Sequence, residues 1–237
     1  MTDARDEILT RVRTALAPGA SKVAPAADGD AGGGAPREGG GAAAHAARIA
    51  PRGYRTGRTL SAEERLALFS ERVRDYRAEL RTCAAARTAE AVAEVLRGHG
   101  ARRVGVPAGL DAGWLAGFLD EGAEVVTDGV EVPVAVLDTL DAVVTASAAA
   151  CAETGTVFLD GSSDQGRRAL TLVPDLHVCV VDLSAVEPGV PEALARLVPT
   201  RPITMISGPS ATSDIELERV EGVHGPRTLV VVVRTDL

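Results

Sequence analysis

Short apolar runs rich in β-branched residues recur along the C-terminal two thirds of the chain, and they constrain its fold more than any other feature. "RRVGVPAG", "EVVT", "DAVVTAS", "TVFLD", "HVCVV", "ITMIS" and "TLVVVV" follow one another in that order. Each has the length of a buried strand, and segments of helical spacing lie between several of them, around Trp114–Leu119, Arg167–Leu170 and Glu192–Val198. Such alternation predicts an α/β fold built on an open, mostly parallel sheet with helices on both faces. In that architecture ligands collect in the loops beyond the carboxyl ends of strands. The longest apolar stretches, Leu229–Val233 and Val132–Leu137, are also strand-sized. Neither approaches the roughly 18 apolar residues of a membrane span.

Two helices precede the first of these runs. "LSAEERLALFSERVRDYRAEL" opens with Ser61 and Glu64 at capping-box spacing and repeats Leu66, Phe69, Val73, Tyr76 and Leu80 along one face. A second helix, Ala89–Arg97, ends at "GHG". At the other end of the chain's logic, residues 1–17 place Ile8, Leu9, Val12 and Leu16 at helical spacing, with acids early and arginines later. That spacing predicts an amphipathic helix. Residues 18–50, rich in Ala, Gly and Pro, hold too little apolar surface to offset the entropy of ordering and read as a flexible linker. The expected organisation is therefore a tethered helix, which docks on its own domain or on another subunit, a linker, and an α/β domain over residues 51–237.

Charge and composition exclude several classes of partner. The 237-residue chain carries a formal net charge of -8 and only 3% aromatic residues. It lacks both the positive field that recruits phosphodiester backbones or anionic lipid and the stacking platforms of single-strand binders. Nucleic acid and membrane are not expected partners. The N-terminus "MTDARDEILTRVRTAL" has charges throughout and no apolar core of a secretory signal, so a cytoplasmic protein is expected. Cys83, Cys151 and Cys179 are widely spaced with no CxxC pair, which predicts small buried hydrophobes and no metal or cluster in this chain.

Two polar loops carry the chemistry-bearing residues. In "AACAETGTVFLD", Glu153 is a candidate base, nucleophile or acceptor, and Gly155 between Thr154 and Thr156 allows backbone amides to approach an anion. A plain tight turn accounts for the same residues. The second loop lies in "SGPSATSDIELERVEGVHGP", where Ser210 is a candidate helix cap and Ser213 with Glu216 has capping-box spacing. A helix beginning there would expose amides to an anion in a pocket lined by Ser207, Gly208, Ser210 and Thr212. A helix start that satisfies only its own amides is the competing reading. His224 is a candidate acid, base or oxyanion donor, or a local staple of the Gly-Pro turn. His177 begins a strand, and no two histidines lie at metal-ligand spacing. The phosphate loop GxxxxGK[ST], the dinucleotide fingerprint GxGxxG and the hydrolase elbow GxSxG are all absent.

The two motifs together, "AETGTVFLD" and then "ISGPSATSDIELERVEGVHGPRTLVVVV", resemble the LUD domain family, and the likeness spans roughly residues 50–237. The resemblance implies a fold like that of the NagB, ribose-5-phosphate isomerase and CoA-transferase group. It implies participation in the oxidation of L-lactate to pyruvate beside two iron-sulfur partner proteins, with the clusters in those partners and no cofactor in this chain. On the residues of the two loops themselves, Glu153 and His224 are the catalytic candidates, with Thr154, Gly155, Thr156, Ser207, Gly208, Ser210, Thr212 and Asp214 around a small anion. One departure bears on that site. The family usually reads GPSRTADIE, and here Ala211 stands at the Arg position and Ser213 at the following Ala. An Arg there is the natural bidentate partner of a carboxylate, which leaves backbone amides, Thr212 or Arg227 to hold an anion. Two other functions remain open on the residues alone: a transferase- or isomerase-like enzyme acting on an acyl-CoA or sugar phosphate through Glu153, and a small-ligand sensor.

Overall fold

The computed structural model describes residues 57–119, 122–213, 219–221 and 225–236, all within one unit running from Gly53 to Leu237. Its first helix, α1 (Ala62–Asp75), begins as the spacing of Ser61 and Glu64 predicts. The Glu64 amide donates to Ser61 Oγ at 3.1 Å, and the Ser61 amide donates to Glu64 Oε2 at 2.8 Å. The helix ends earlier than the apolar periodicity suggests. Arg77 takes a left-handed φ of 64°, and Glu79–Cys83 becomes strand β1, so Leu80 belongs to a sheet and not to the helix face.

The chain continues through α2 (Thr88–Gly98), β2 (Arg103–Pro107), the single turn α3 (Ala116–Leu119), β3 (Glu124–Asp128), α4 (Val134–Leu137) and β4 (Ala142–Thr145). Val132–Leu137, strand-sized by sequence, therefore contains a helical turn. Pro133 at its N-cap supplies no strand hydrogen bond, and Leu137 plugs a small cluster with Leu140, Val143 and Leu170. Next come β5 (Ala149–Cys151), β6 (Thr156–Leu159), β7 (Leu176–Asp182), β8 (Val186–Glu187), α5 (Val190–Ala195), β9 (Thr204–Ile206), β10 (Ala211–Ser213), β11 (Arg219–Glu221) and β12 (Thr228–Arg234).

Six strands form one sheet in the order β1-β12-β7-β4-β2-β3, every neighbour parallel. A second sheet, β8-β5-β6-β9, is mixed. Strand β10 pairs antiparallel with β11. Ala211–Ser213 thus forms a strand where the hydroxyl pattern predicts a helix start, because pairing with β11 satisfies its backbone instead.

Side-chain alternation along the central strands divides the core. Val178, Val180, Val230 and Val232 face Val92 and Leu96 of α2 together with Trp114 and Phe118. Cys179, Val181, Leu229, Val231 and Val233 face Phe69 and Val73 of α1 and Ala150, Val157 and Leu159 of the second sheet. A parallel sheet needs both faces covered, and here helices cover one while a helix and a second sheet cover the other. No helix among the described residues is long and apolar enough to cross a membrane.

The chain leaves β2 toward β3 and β4 toward β7, so the crevice at the carboxyl ends of β2 and β4 is the switch point where ligands are expected. Residues 160–166 fill it. The Gly109 amide donates to the Ser163 carbonyl at 2.8 Å, and the Ala146 amide donates to that of Asp164 at 3.0 Å. A Cβ on Gly109 would meet Ser163 Cβ at 2.5 Å. The core assignment is testable at Phe69, which is fully buried between α1 and the second sheet. Phe69→Ala is expected to lower unfolding free energy in urea by about 3–5 kcal/mol.

Candidate functional site

The two polar motifs, far apart in sequence, meet at the C-terminal end of α1. Thr154 Oγ1 and Thr156 Oγ1 lie 2.7 Å apart, and Thr156 Oγ1 lies 2.8 Å from Ser207 Oγ. This hydroxyl chain joins the turn before β6 to the segment after β9. Both loops need glycine to reach it. Gly155 has φ +60°, and a Cβ there would lie 2.7 Å from the Arg72 carbonyl carbon; Gly208 has φ +84°, and its Cβ would lie 2.6 Å from Tyr76 Cβ. The local sequence "ETGT" and "SGPS" is therefore explained first by close packing on α1.

Beyond Ser207 the chain turns to form one wall of a cleft of about 170 Å³, built by Gly208, Pro209 and Ser210. Thr204 and Ile206 of β9 continue that wall, Arg168 and Thr171 stand among the remaining lining residues, and His177 and Leu229 also line it. The Ser210 amide donates to the Pro226 carbonyl at 2.8 Å, tying the wall to the strand that follows. His177 and Leu229 are the second residues of β7 and β12. The cleft thus opens at the amino ends of these strands, in contrast to the carboxyl-edge position expected from the fold class. The carboxyl-edge crevice is already filled by residues 160–166.

Arg168 is the cation of this cleft. It is exposed, its Nη1 donates to Thr204 Oγ1 at 2.9 Å, and it has no carboxylate partner among the described residues. Its neighbour Arg167 is instead clamped on buried Asp128, with Nη2 2.9 Å from Oδ1. Arg227, the substitute suggested by the missing motif Arg, holds Asp175 through two contacts of 2.7 Å, and that bond keeps the Asp175 carboxyl below its usual range. A smaller cavity of about 90 Å³ shares Arg168, Thr171 and Thr204 and runs on to Leu159 and Pro202. The Arg168–Thr204 bridge stands between the two.

His177 is almost fully enclosed, 1% exposed. Its Nε2 lies 2.8 Å from Thr145 Oγ1, and burial pushes its pKa down to about 4, so the ring is neutral at pH 7. Glu153 occupies different ground. Its amide donates to the Pro188 carbonyl at 3.2 Å, and its carboxylate lies 3.9 Å from Arg58, both side chains about half exposed. It lines none of these cavities. Thr212 lies in β10, while Asp214 and His224 fall outside the described residues. Among the described residues no His, Cys, Asp or Glu cluster is suited to a metal ion.

Arg168, Thr204 and His177 are polar cleft residues that the motifs did not announce. One local signal does exist: in "HVCVV", a histidine occupies an alternating inward position of an otherwise apolar strand, which demands a buried partner.

Two expectations follow from this geometry. Gly208→Ala must force a side chain into φ +84° against Tyr76, and is expected to cost about 1–3 kcal/mol in denaturant unfolding. For His177, the unfolded ring takes up a proton as pH falls through 6.5, whereas the folded ring resists until about 4. Stability contributed by the neutral ring is complete above 6.5 and is lost as pH drops. Between pH 7 and 5 the loss is about 2 kcal/mol, read by urea unfolding at each pH, and His177→Gln removes that part of the slope.

Comparison with known proteins places this architecture. The family model of the LUD domain matches residues 66–233. The chain is 48% identical over 178 residues to lactate utilization protein C of Deinococcus radiodurans, covering 73% of this chain and 81% of that one. It is 39% identical over 94 residues to lactate utilization protein C of Geobacillus kaustophilus, covering 36% of this chain and 38% of the relative. The crystal structure of a DUF162 family protein from Deinococcus radiodurans superimposes with a TM-score of 0.62 at 42% identity, covering 74% of this chain and 99% of that one. With the double motif, the sheet order and a match across most of the α/β unit in hand, the chain belongs to the LUD domain family.

Proposed function

We propose that this chain is a component of L-lactate utilization, working beside iron-sulfur partner proteins, and that its cleft at the amino ends of β7 and β12 holds a small organic anion. The observation that carries the role is the 48% identity to a lactate utilization protein C over most of both chains. The chemistry of the cleft supports the ligand class. Arg168 offers a guanidinium with no carboxylate partner among the described residues, and Thr204 and Ser210 add polar groups to the lining. Ala211 in the family's Arg position is then tolerable, because Arg168 reaches the same cleft wall from a different segment. In this reading electrons pass through the partners, and the chain supplies recognition or assembly.

A transferase- or isomerase-like role centred on Glu153 draws less support, since that carboxylate faces Arg58 outside the cleft. The role is tested by deletion and co-purification. Loss of the chain is expected to abolish growth on L-lactate while sparing growth on glucose, and the tagged chain is expected to bring down two cluster-bearing proteins. Undiminished growth on L-lactate and a chain that purifies alone would overturn it. For the cleft, Arg168→Gln is expected to weaken calorimetric binding of L-lactate or pyruvate by about tenfold or more, the loss of one charge-assisted contact.

A further inference from the structure

We infer that His177 presents a bare acceptor nitrogen to the cleft, so that the site selects an anion bearing a hydroxyl over the same anion bearing a carbonyl. The inference rests on the reading above that the cleft holds a small anion, and it adds which oxidation level of that anion is bound.

The argument begins with strand alternation. Leu176, Val178 and Val180 of β7 point into the α2 cluster, which puts His177 on the opposite face with Cys179 and Val181. Thr145 of β4 is paired with Cys179, and Val143 with His177, so Thr145 stands diagonally across from the imidazole on the same face. His177, Thr145 and Cys179 are polar or weakly polar groups in an otherwise apolar layer, and each is buried. They must satisfy one another.

Their hydrogen bonds run in one direction. Cys179 Sγ lies 3.9 Å from the Ala146 carbonyl oxygen, Thr145 Oγ1 lies 3.9 Å from Cys179 Sγ, and His177 Nε2 lies 2.8 Å from Thr145 Oγ1. A carbonyl only accepts, so the thiol donates to it; burial pushes that thiol up to about 12, and it keeps its proton. The sulfur is then left to accept from the Thr145 hydroxyl. The Thr145 oxygen in turn accepts from His177 Nε2–H. The single proton of the neutral ring is thereby placed on Nε2, and Nδ1 carries a lone pair. Nδ1 has no partner among the described residues, and the ring lines the cleft.

An acceptor at the cleft floor pairs with a donor. An alcohol O–H on the ligand supplies one, while the carbonyl of the oxidised analogue sets a second acceptor against Nδ1 and leaves both unpaired. A site built to bond a hydroxyl discriminates against the analogue that lacks it because its own buried group is stranded. Arg168 meets the anionic end of either ligand alike, so the difference falls on His177.

Two measurements on the full-length protein test this. In protein labelled with nitrogen-15 at histidine, the His177 signals, identified by their loss in His177→Gln, are expected to show the Nε2–H tautomer at pH 7. Thr145→Val, which removes the relay but keeps the shape, is expected to mix the tautomers. In calorimetry, L-lactate is expected to bind about tenfold or more tighter than pyruvate, with the same preference for malate over oxaloacetate, and Thr145→Val to erase most of it. An Nδ1–H tautomer, equal affinities within the pairs, or binding of none of these acids would overturn the inference. Growth of the deletion strain on L-lactate reports separately on the cellular role and is independent of these readouts.

Discussion

The C-terminal turn of α1 is the contact on which the arrangement of the site depends. Two loops of the second sheet, the turn joining β5 to β6 and the segment leaving β9, press glycines onto it, Gly155 against Arg72 and Gly208 against Tyr76. Only residues without Cβ approach that closely, and both hold a left-handed φ as well. With the loops seated there, Thr156 and Ser207 come within hydrogen-bonding distance, and the chain leaving Ser207 is aimed along the cleft. Phe69 and Val73, buried about two turns and one turn before Tyr76 on the same helix, anchor α1 to the sheets. Helix packing, loop seating and cleft wall are therefore one mechanical unit.

That unit explains why the cleft lies where it does. The carboxyl-edge crevice of this doubly wound sheet is closed by the chain's own residues 160–166, held by backbone bonds to Gly109 and Ala146. The same segment then crosses from Arg167, on Asp128 at the carboxyl end of β3, to Asp175, at the amino end of β7. It delivers Arg168 and Thr171 to the opposite edge on the way. The second sheet closes the other side through β9. The cleft lies where these two covers part, over His177 and Leu229.

Much of this was legible in the sequence, and what was not has a physical reason. The Val-rich runs and the capping box at Ser61 announce β2, β4, β7, β12 and α1 because their local chemistry and their tertiary role agree. β1 escapes because "ELRTC" is an edge strand with mostly exposed positions and little apolar pattern, and because Leu80 happens to continue a helical period. β5, "AAC", is too short and small to signal a strand. At Ala211–Ser213 the hydroxyls fit a helix start equally well, and only pairing with a distant partner decides for a strand. The motifs led to Gly208 and Ser210, which line the cleft, and to Thr154, Gly155, Thr156 and Ser207, which brace its wall. Arg168, Thr204 and His177 come from three separate segments, and no local pattern can show that they converge.

Charge distinguishes Arg168 from several other arginines. In a chain of net charge -8, Arg103, Arg167, Arg201, Arg227 and Arg234 are each matched with a carboxylate, whereas Arg168 bonds the Thr204 hydroxyl and has no carboxylate partner among the described residues. A guanidinium without a carboxylate partner among the described residues, beside the cleft, is the central element of the account. Anomalous diffraction from crystals soaked in bromide tests it most directly. The account predicts a bromide ion in the cleft against Arg168. Bromide found elsewhere on the molecule, such as the hollow beside Arg97 and Arg102, with none at Arg168, would contradict it.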